Sequence, residues 1–323
     1  MSAKIEGLTV RFDETVAVDD VSLHISTGER FTVMGPSGSG KSTLLRAVAG
    51  LDHVDSGTIA IDGVNMTTRP THLRPIGLMF QEYALFPHLS VGGNISYGLK
   101  MQDTPGAETR RIVSRLLKIA GLSGFEDRDI SSLSGGERQR VALLRTLAPQ
   151  PSLVMLDEPL GSLDLALRES LLAEMRAIIV GLGTTALYVT HDRVEAFAFA
   201  DRIAIMRNGR IVRVGTPAEV WLNPRTTFVA RFLGHANVVD GAVLGHLSDT
   251  VLIPMNAISL RHGGQLETTV LETTFSEGRY LHTVATADGI TLRVASDTPS
   301  DRSRIVDVAI DIEKVQPLSV DEV

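Results

Sequence analysis

Apolar and polar residues alternate over 5–10 and again over 16–25, the two-residue period of strands that bury one face. Residues 30–34 read as a third strand and run into a glycine-rich loop. The period then lengthens, and 43–49 reads as a helix stopped by Gly50. Short strands follow at 58–61 and 76–80. Over 104–121 the spacing is helical, with Ile112, Leu116, Leu117 and Ile119 on one side, and a second helix over 138–147 is closed by Pro149 and Pro151. Residues 153–156 are continuously apolar, as in a parallel strand buried on both faces. Helix 165–180, strand 185–190, helix 194–200, strand 203–206, the Asn208-Gly209 hairpin turn, strand 210–214 and a helix near 217–222 complete the pattern. Strands alternating with helices predict an α/β fold around a mainly parallel sheet.

After about Gly234 the helical period disappears. Short strands take over at 238–244, 251–253, 266–275, 280–287, 290–294 and 305–312, with Asp288-Gly289 as a two-residue hairpin signal. The expected organisation is an α/β domain over 1–235 and a small all-β, barrel-like domain over 236–323.

Composition narrows the function. At 323 residues, 43% apolar and 21% charged, the chain has the material of a folded globular protein. Its net charge of −7 argues against nucleic acid as the main partner. With no cysteine, disulfides and thiolate metal sites are excluded, which fits a reducing compartment. The first residues show no apolar signal core, and the longest uncharged apolar stretch, 177–188, is too short to span a bilayer. A membrane role would therefore come through a partner.

The chemistry begins at Gly35-Pro36-Ser37-Gly38-Ser39-Gly40-Lys41-Ser42-Thr43, a Gly, four residues, then Gly-Lys-Ser between a strand and a helix. Glycines let backbone N–H groups turn toward phosphates, and the helix N-terminus adds its positive end. Lys41 is positioned to reach the β and γ phosphates of ATP, and Ser42 to ligate Mg²⁺. It is one of only five lysines in a chain that otherwise uses arginine. The apolar strand 153–156 ends in Asp157 and Glu158, suited respectively to holding Mg²⁺ and to deprotonating a water. Residues 133–140, Leu133-Ser134-Gly135-Gly136-Glu137-Arg138-Gln139-Arg140, open a helix with a Ser cap and exposed amides, a good anion site.

On these motifs the chain resembles the ABC transporter ATPases, whose signature is LSGGQ; here the fifth place is Glu137. The resemblance runs over 1–235. It implies a P-loop NTPase core of RecA type with a helical signature subdomain over about 90–150, followed by an OB-like domain. It implies that Ser134, Gly135 and Gly136 bind the γ-phosphate of a nucleotide held by a second subunit, in a head-to-tail dimer with itself or a close paralogue. By the same resemblance Gln81 senses Mg²⁺ and the water, and His191 contacts the γ-phosphate. Asp164, in Leu160-Gly161-Ser162-Leu163-Asp164, couples the two sites. Phe12 stacks on adenine, and Val18 packs against the base.

Residues 81–91, 215–217 and 228–234 are similar to importer subunits, and the segment after Gln81 is expected to receive a permease helix. The implied protein is peripheral, on the cytoplasmic face of the inner membrane. It works with transmembrane permease subunits and, indirectly, an extracellular substrate-binding protein. Iron(III) or thiamine ranks ahead of polyamine or sugar as cargo. Repair-type relatives, which insert a long coiled coil between phosphate loop and signature, and translation-type relatives, which carry two cassettes, fit poorly.

Overall fold

The computed structural model describes residues 2–80, 82–161, 165–245 and 250–319. They form two compact units, 1–217 and 218–323.

The first unit begins with β1 (Ala3–Phe12), β2 (Thr15–Ile25), β3 (Arg30–Met34), α1 (Lys41–Ala49), β4 (Ser56–Ile61), β5 (Val64–Asn65) and β6 (Ile76–Met79). Three helices follow, α2 (Val91–Met101), α3 (Gly106–Ile119) and α4 (Gly135–Leu147). The chain returns through β7 (Leu153–Asp157), α5 (Leu165–Leu182), β8 (Ala186–Thr190), α6 (Arg193–Phe199), β9 (Arg202–Arg207) and β10 (Arg210–Gly215). An antiparallel sheet has the order β2-β1-β4-β5, and the core sheet has the order β10-β9-β3-β8-β7-β6. Within the core sheet every pairing is parallel except that of β9 with β10.

Helix α1 lies between the two sheets. Leu44, Leu45 and Val48 are fully buried in one cluster with Val10 and Ile59 from the first sheet and Val33, Met155 and Leu187 from the second. The other face of the core sheet is covered by helices, where Ile95, Leu117, Val141 and Ile179 pack with Leu156, Tyr188 and Phe199. Helix α2 is absent from the helices expected above. Val91, Ile95 and Leu99 recur at helical spacing and are all buried, but Gly92, Gly93 and Gly98 dilute the pattern. Those glycines sit where a Cβ would collide: at Gly92 with the Glu126 carbonyl and at Gly98 with Pro149.

The second unit contains α7 (Pro217–Leu222), α8 (Thr227–Leu233), β11 (Val238–Asp240), β12 (Thr250–Leu252), β13 (Ile258–Leu260) and β14 (Leu266–Ser276). It continues with β15 (Arg279–Thr286), β16 (Thr291–Ser296), β17 (Ile305–Ile310) and β18 (Gln316–Pro317). A three-stranded sheet, β11-β12-β18, accompanies a five-stranded one, β13-β17-β14-β15-β16, whose end strands β13 and β16 lie close together. The result is the barrel-like, OB-like antiparallel domain that was expected. Val251, Ile258, Val270, Val284, Leu292, Val294 and Val308 fill it.

Two local expectations change. The strand expected over 238–244 ends at Asp240, because that side chain accepts from the Ala242 amide and starts a 3-10 turn. The tight two-residue hairpin is Glu277-Gly278, both at positive φ, between the paired residues Ser276 and Arg279. At Asp288-Gly289 the connection is longer, closed by Thr286 and Ile290.

Arg74 anchors the end of α1. Its buried guanidinium donates to the carbonyls of Ala47 and Val48 at 3.0 and 2.7 Å, and to those of Arg69 and Thr67 at 2.9 and 3.2 Å. Arg74→Met would leave the buried Val48 carbonyl without its donor and take one from Ala47, which keeps the Gly50 amide. It is expected to lower the unfolding free energy by about 3 kcal/mol, measured by urea denaturation.

Candidate functional site

The strand order places the carboxyl ends of β3, β8 and β7 side by side, in parallel register with Met34 opposite Thr190 and Asp157 opposite Val189. The loops that follow these strands carry the residues that the sequence singles out. Ligands of open α/β sheets bind at this edge, where strand order reverses. Here the reversal is at β3, flanked by β8 and β9.

Gly35 to Gly40 wrap the start of α1. Gly38 and Gly40 have φ of 78° and 99°, the left-handed region that a side chain resists. Gly40 could carry no Cβ in any case, since one would stand 2.1 Å from the Ala17 carbonyl oxygen. Lys41, first residue of α1, is buried, and its ammonium donates to the Gly35 and Pro36 carbonyls at 3.0 and 2.8 Å. Burial pulls its pKa below the usual lysine value, against the opposing charges of Glu158 and Asp157. The Ser42 hydroxyl donates to Asp157 Oδ1 at 3.2 Å. Burial raises the Asp157 carboxyl above its usual range, and the neighbouring Glu158 charge adds to that, while Ser42, Lys41 and Arg46 oppose it.

Glu158 has φ of 43°, and its amide donates to the Val189 carbonyl at 3.0 Å. This turns its carboxylate toward the next loop, where Oε1 lies 3.0 Å from His191 Nδ1. A cavity of about 330 Å³ opens beside the loop, lined by Gly38, Gly40, Lys41, Ser42 and Thr43 and by Thr15 to Ala17 of β2. Ser39 Oγ is buried without a hydrogen-bond partner.

The arrangement fits a polyphosphate with a hard cation. Inward-turned loop, buried ammonium and helix N-terminus suit phosphate oxygens, while a desolvated carboxylate beside a hydroxyl supplies oxygen donors of the kind Mg²⁺ takes alongside phosphate.

A family model described as ABC transporter matches residues 18–161. The Fe(3+) ions import ATP-binding protein FbpC of Streptomyces coelicolor is 53% identical over 246 residues, 76% of this chain and 71% of that protein. The chain belongs to the ABC transporter family. The sulfate/thiosulfate import ATP-binding protein CysA of Caulobacter vibrioides is 45% identical to this ABC protein over 267 residues, covering 81% and 79% of the two chains. A solved ATP-binding cassette, described as dimeric, post-hydrolysis and bound to ADP and Pi, aligns at a TM-score of 0.56 with 31% identity, over 67% of this chain and 98% of that one. The chain is thus an importer-type ABC ATPase.

In this cassette Ser134 caps α4. Its hydroxyl accepts from the Glu137 amide at 3.3 Å, and the Glu137 carboxylate accepts from the Ser134 amide at 2.7 Å, a reciprocal capping box. Gly136 faces α5, where a Cβ would meet Leu171 at 2.9 Å, whereas Gly135 looks into open space. Among the described residues, no hydrogen bond or ion pair joins Ser134 to Gly136 with the phosphate loop of the same chain.

Phe12, at the end of β1, is 49% exposed and free to stack. Val18 is fully enclosed in the core and offers no surface to a base; Val16, 38% exposed, lines the cavity instead. A bulge around Ala17 causes this, since Val10 pairs with Val18 but Arg11 with Val16. Gln81 and Asp164 lie outside the described residues. The sequence reading missed Asn208 and Gly209 as cavity lining: the hairpin was legible, but its contact with Ser39, through the Gly209 amide at 3.0 Å, depends on β9 lying beside β3.

Asp157→Asn tests the electrostatics. Because the folded-state pKa is raised, the penalty is absent at low pH, grows as pH rises through the ordinary carboxylate range, and is constant above the raised value. The nucleotide-free variant is expected to melt above wild type near neutral pH. That difference should vanish in acid when thermal unfolding is followed across pH.

Proposed function

We propose that this ATPase binds ATP with Mg²⁺ and acts as a dimer to drive a separate permease that imports Fe(3+). The observation that supports the catalytic reading best is the 3.0 Å Glu158–His191 pair beside the buried Lys41 ammonium.

In this reading the adenine stacks on Phe12, and the phosphates enter the loop of Gly35, Pro36, Ser37, Gly38, Ser39, Gly40 and Thr43. The Lys41 ammonium exchanges its two carbonyl partners for phosphate oxygens. Ser42 and Asp157, with Gln81 by family likeness, would hold Mg²⁺, which neutralises phosphate charge when bound. Glu158 takes the proton of the attacking water, and His191 holds that carboxylate in place while contacting the γ-phosphate.

Ser134, Gly135 and Gly136 would complete the site of a second copy. The open side of Gly135 supports a role in trans, and so does the dimeric description of the solved relative. Asp164 would couple the two sites. ATP, preferring the closed dimer, would shift the equilibrium toward closure, and hydrolysis would release it.

No helix among the described residues is long and apolar enough to cross a membrane. By family likeness the reading sets the chain peripherally on the cytoplasmic face of the inner membrane, against permease subunits served by an extracellular binding protein. Fe(3+) as cargo rests on the two Streptomyces relatives named for it, at 53% and 52% identity; relatives named for sulfate or polyamines stand at 42–47%, and a third relative named for Fe(3+) at 41%.

Glu158→Gln is expected to lower ATP turnover at least about 100-fold while nucleotide binding is retained. Turnover equal to wild type would refute Glu158 as the base. Loss of the protein should abolish radioiron uptake by cells; undiminished iron uptake with lost sulfate or polyamine uptake would reassign the cargo.

A further inference from the structure

The turn that carries His191 rests on a buried acid that the catalytic reading does not use. Glu195, on α6, is 4% exposed. Its Oε2 accepts from the hydroxyls of Tyr188 and Thr190, both at 2.6 Å. Tyr188 is itself fully buried, with its ring against Phe199 at 4.9 Å. Thr190 Oγ1 in turn accepts from the Asp192 amide at 3.0 Å. The residues on both sides of His191 therefore hang on one carboxylate oxygen.

The other side of the network is cationic. Arg168, in the first turn of α5, places NH1 3.0 Å from Asp192 Oδ2 and Nε 3.7 Å from Glu195 Oε1. Asp192 also caps α6 by accepting from the Val194 and Glu195 amides. Strand β8, helix α6 and helix α5 thus meet around Thr190-His191-Asp192. The His191 side chain remains more than half exposed and reaches Glu158.

We propose that Glu195 is a positioning residue for the His191–Glu158 pair, holding the β8–α6 turn through Thr190 and Tyr188. The proposal rests on the catalytic reading of that pair. Only a carboxylate serves here: one oxygen takes two hydroxyl donors while the other faces a guanidinium. An amide would present an N–H₂ donor to one of these groups. A buried carboxylate is costly unless its acceptor sites are filled, and here hydroxyls and Arg168 face both oxygens. A purely stabilising core would be met more cheaply by apolar side chains.

The test compares Thr190→Val, Thr190→Ser and Glu195→Gln, each alone and with His191→Ala, by steady-state ATPase kinetics, nucleotide affinity and thermal unfolding. Thr190→Val keeps the shape and removes the hydroxyl. It and Glu195→Gln are expected to lower kcat ten- to a hundredfold, on the order of what small misplacements of reacting groups cost, with KM for ATP within about twofold. Thr190→Ser should restore kcat, and neither variant should slow the His191→Ala protein further. A lower melting temperature with unchanged kcat, or losses additive with His191→Ala, would overturn the positioning role. An unchanged kcat in His191→Ala alone would instead remove the catalytic reading, and the proposal with it.

Discussion

The site depends on one constraint, that β8 lies between β3 and β7 although the chain forms β3 first and β8 last of the three. Parallel pairing then fixes the level at which each loop leaves the sheet. Asp157 stands opposite Val189, so Glu158 and His191 leave side by side, and the Glu158 amide still bonds to the Val189 carbonyl. A one-residue slip in either strand would turn every one of its side chains to the other face and carry this pair apart. The register is secure because β7 and β8 are buried on both faces: every residue from Leu153 to Leu156 and from Ala186 to Val189 is fully enclosed.

That rigid edge carries charges the protein does not balance well by itself. Burial disfavours the Lys41 ammonium and the Asp157 carboxylate alike, each partly offset by the other's charge. Glu158 adds a left-handed backbone, a conformation a non-glycine residue adopts at a cost of order 1–3 kcal/mol. A polyphosphate with its cation would complete the donor and acceptor set. The site is thus organised in advance for ligand, at the expense of stability without it, which is the electrostatic arrangement catalysis favours.

Much of this was legible in the chain because the decisive signals are local. The phosphate loop, the apolar strand ending in Asp157-Glu158 and the Asn208-Gly209 turn each declare themselves within a few residues. So does the Ser134 cap of Ser134-Gly135-Gly136-Glu137, where the residue that departs from LSGGQ has its own physical reason: the acid closes the cap. What stayed hidden depends on long-range packing or on small shifts of register. Val18 and Val16 differ in burial through one bulge, and the glycines of α2 obscure a helix because they make room for Glu126 and Pro149. The tight turn fell at Glu277-Gly278 because β14 and β15 pair out to Ser276 and Arg279, a register no short window reveals.

A last feature links the importer-like segment to the loop after Glu158. The Pro159 carbonyl, next to Glu158, accepts from Tyr83 Oη at 3.2 Å and from Gln139 Nε2 of α4 at 3.4 Å. Arg145 of α4 holds the carbonyls of Tyr83 and Ala84 at 2.8 and 2.7 Å, and both residues stand at positive φ. Helix α4, segment 82–84 and the loop after Glu158 therefore share one set of hydrogen bonds. Each such bond contributes about 1 kcal/mol net, and allosteric coupling between sites is typically about 1–3 kcal/mol. A shift of segment 82–84 that broke the Tyr83–Pro159 bond would thus change the free energy of the Glu158 loop by about 1 kcal/mol, the lower end of such coupling. The bonds at Pro159 and those of Arg145 thus tie segment 82–84 and the residue after Glu158 to the same helix, α4.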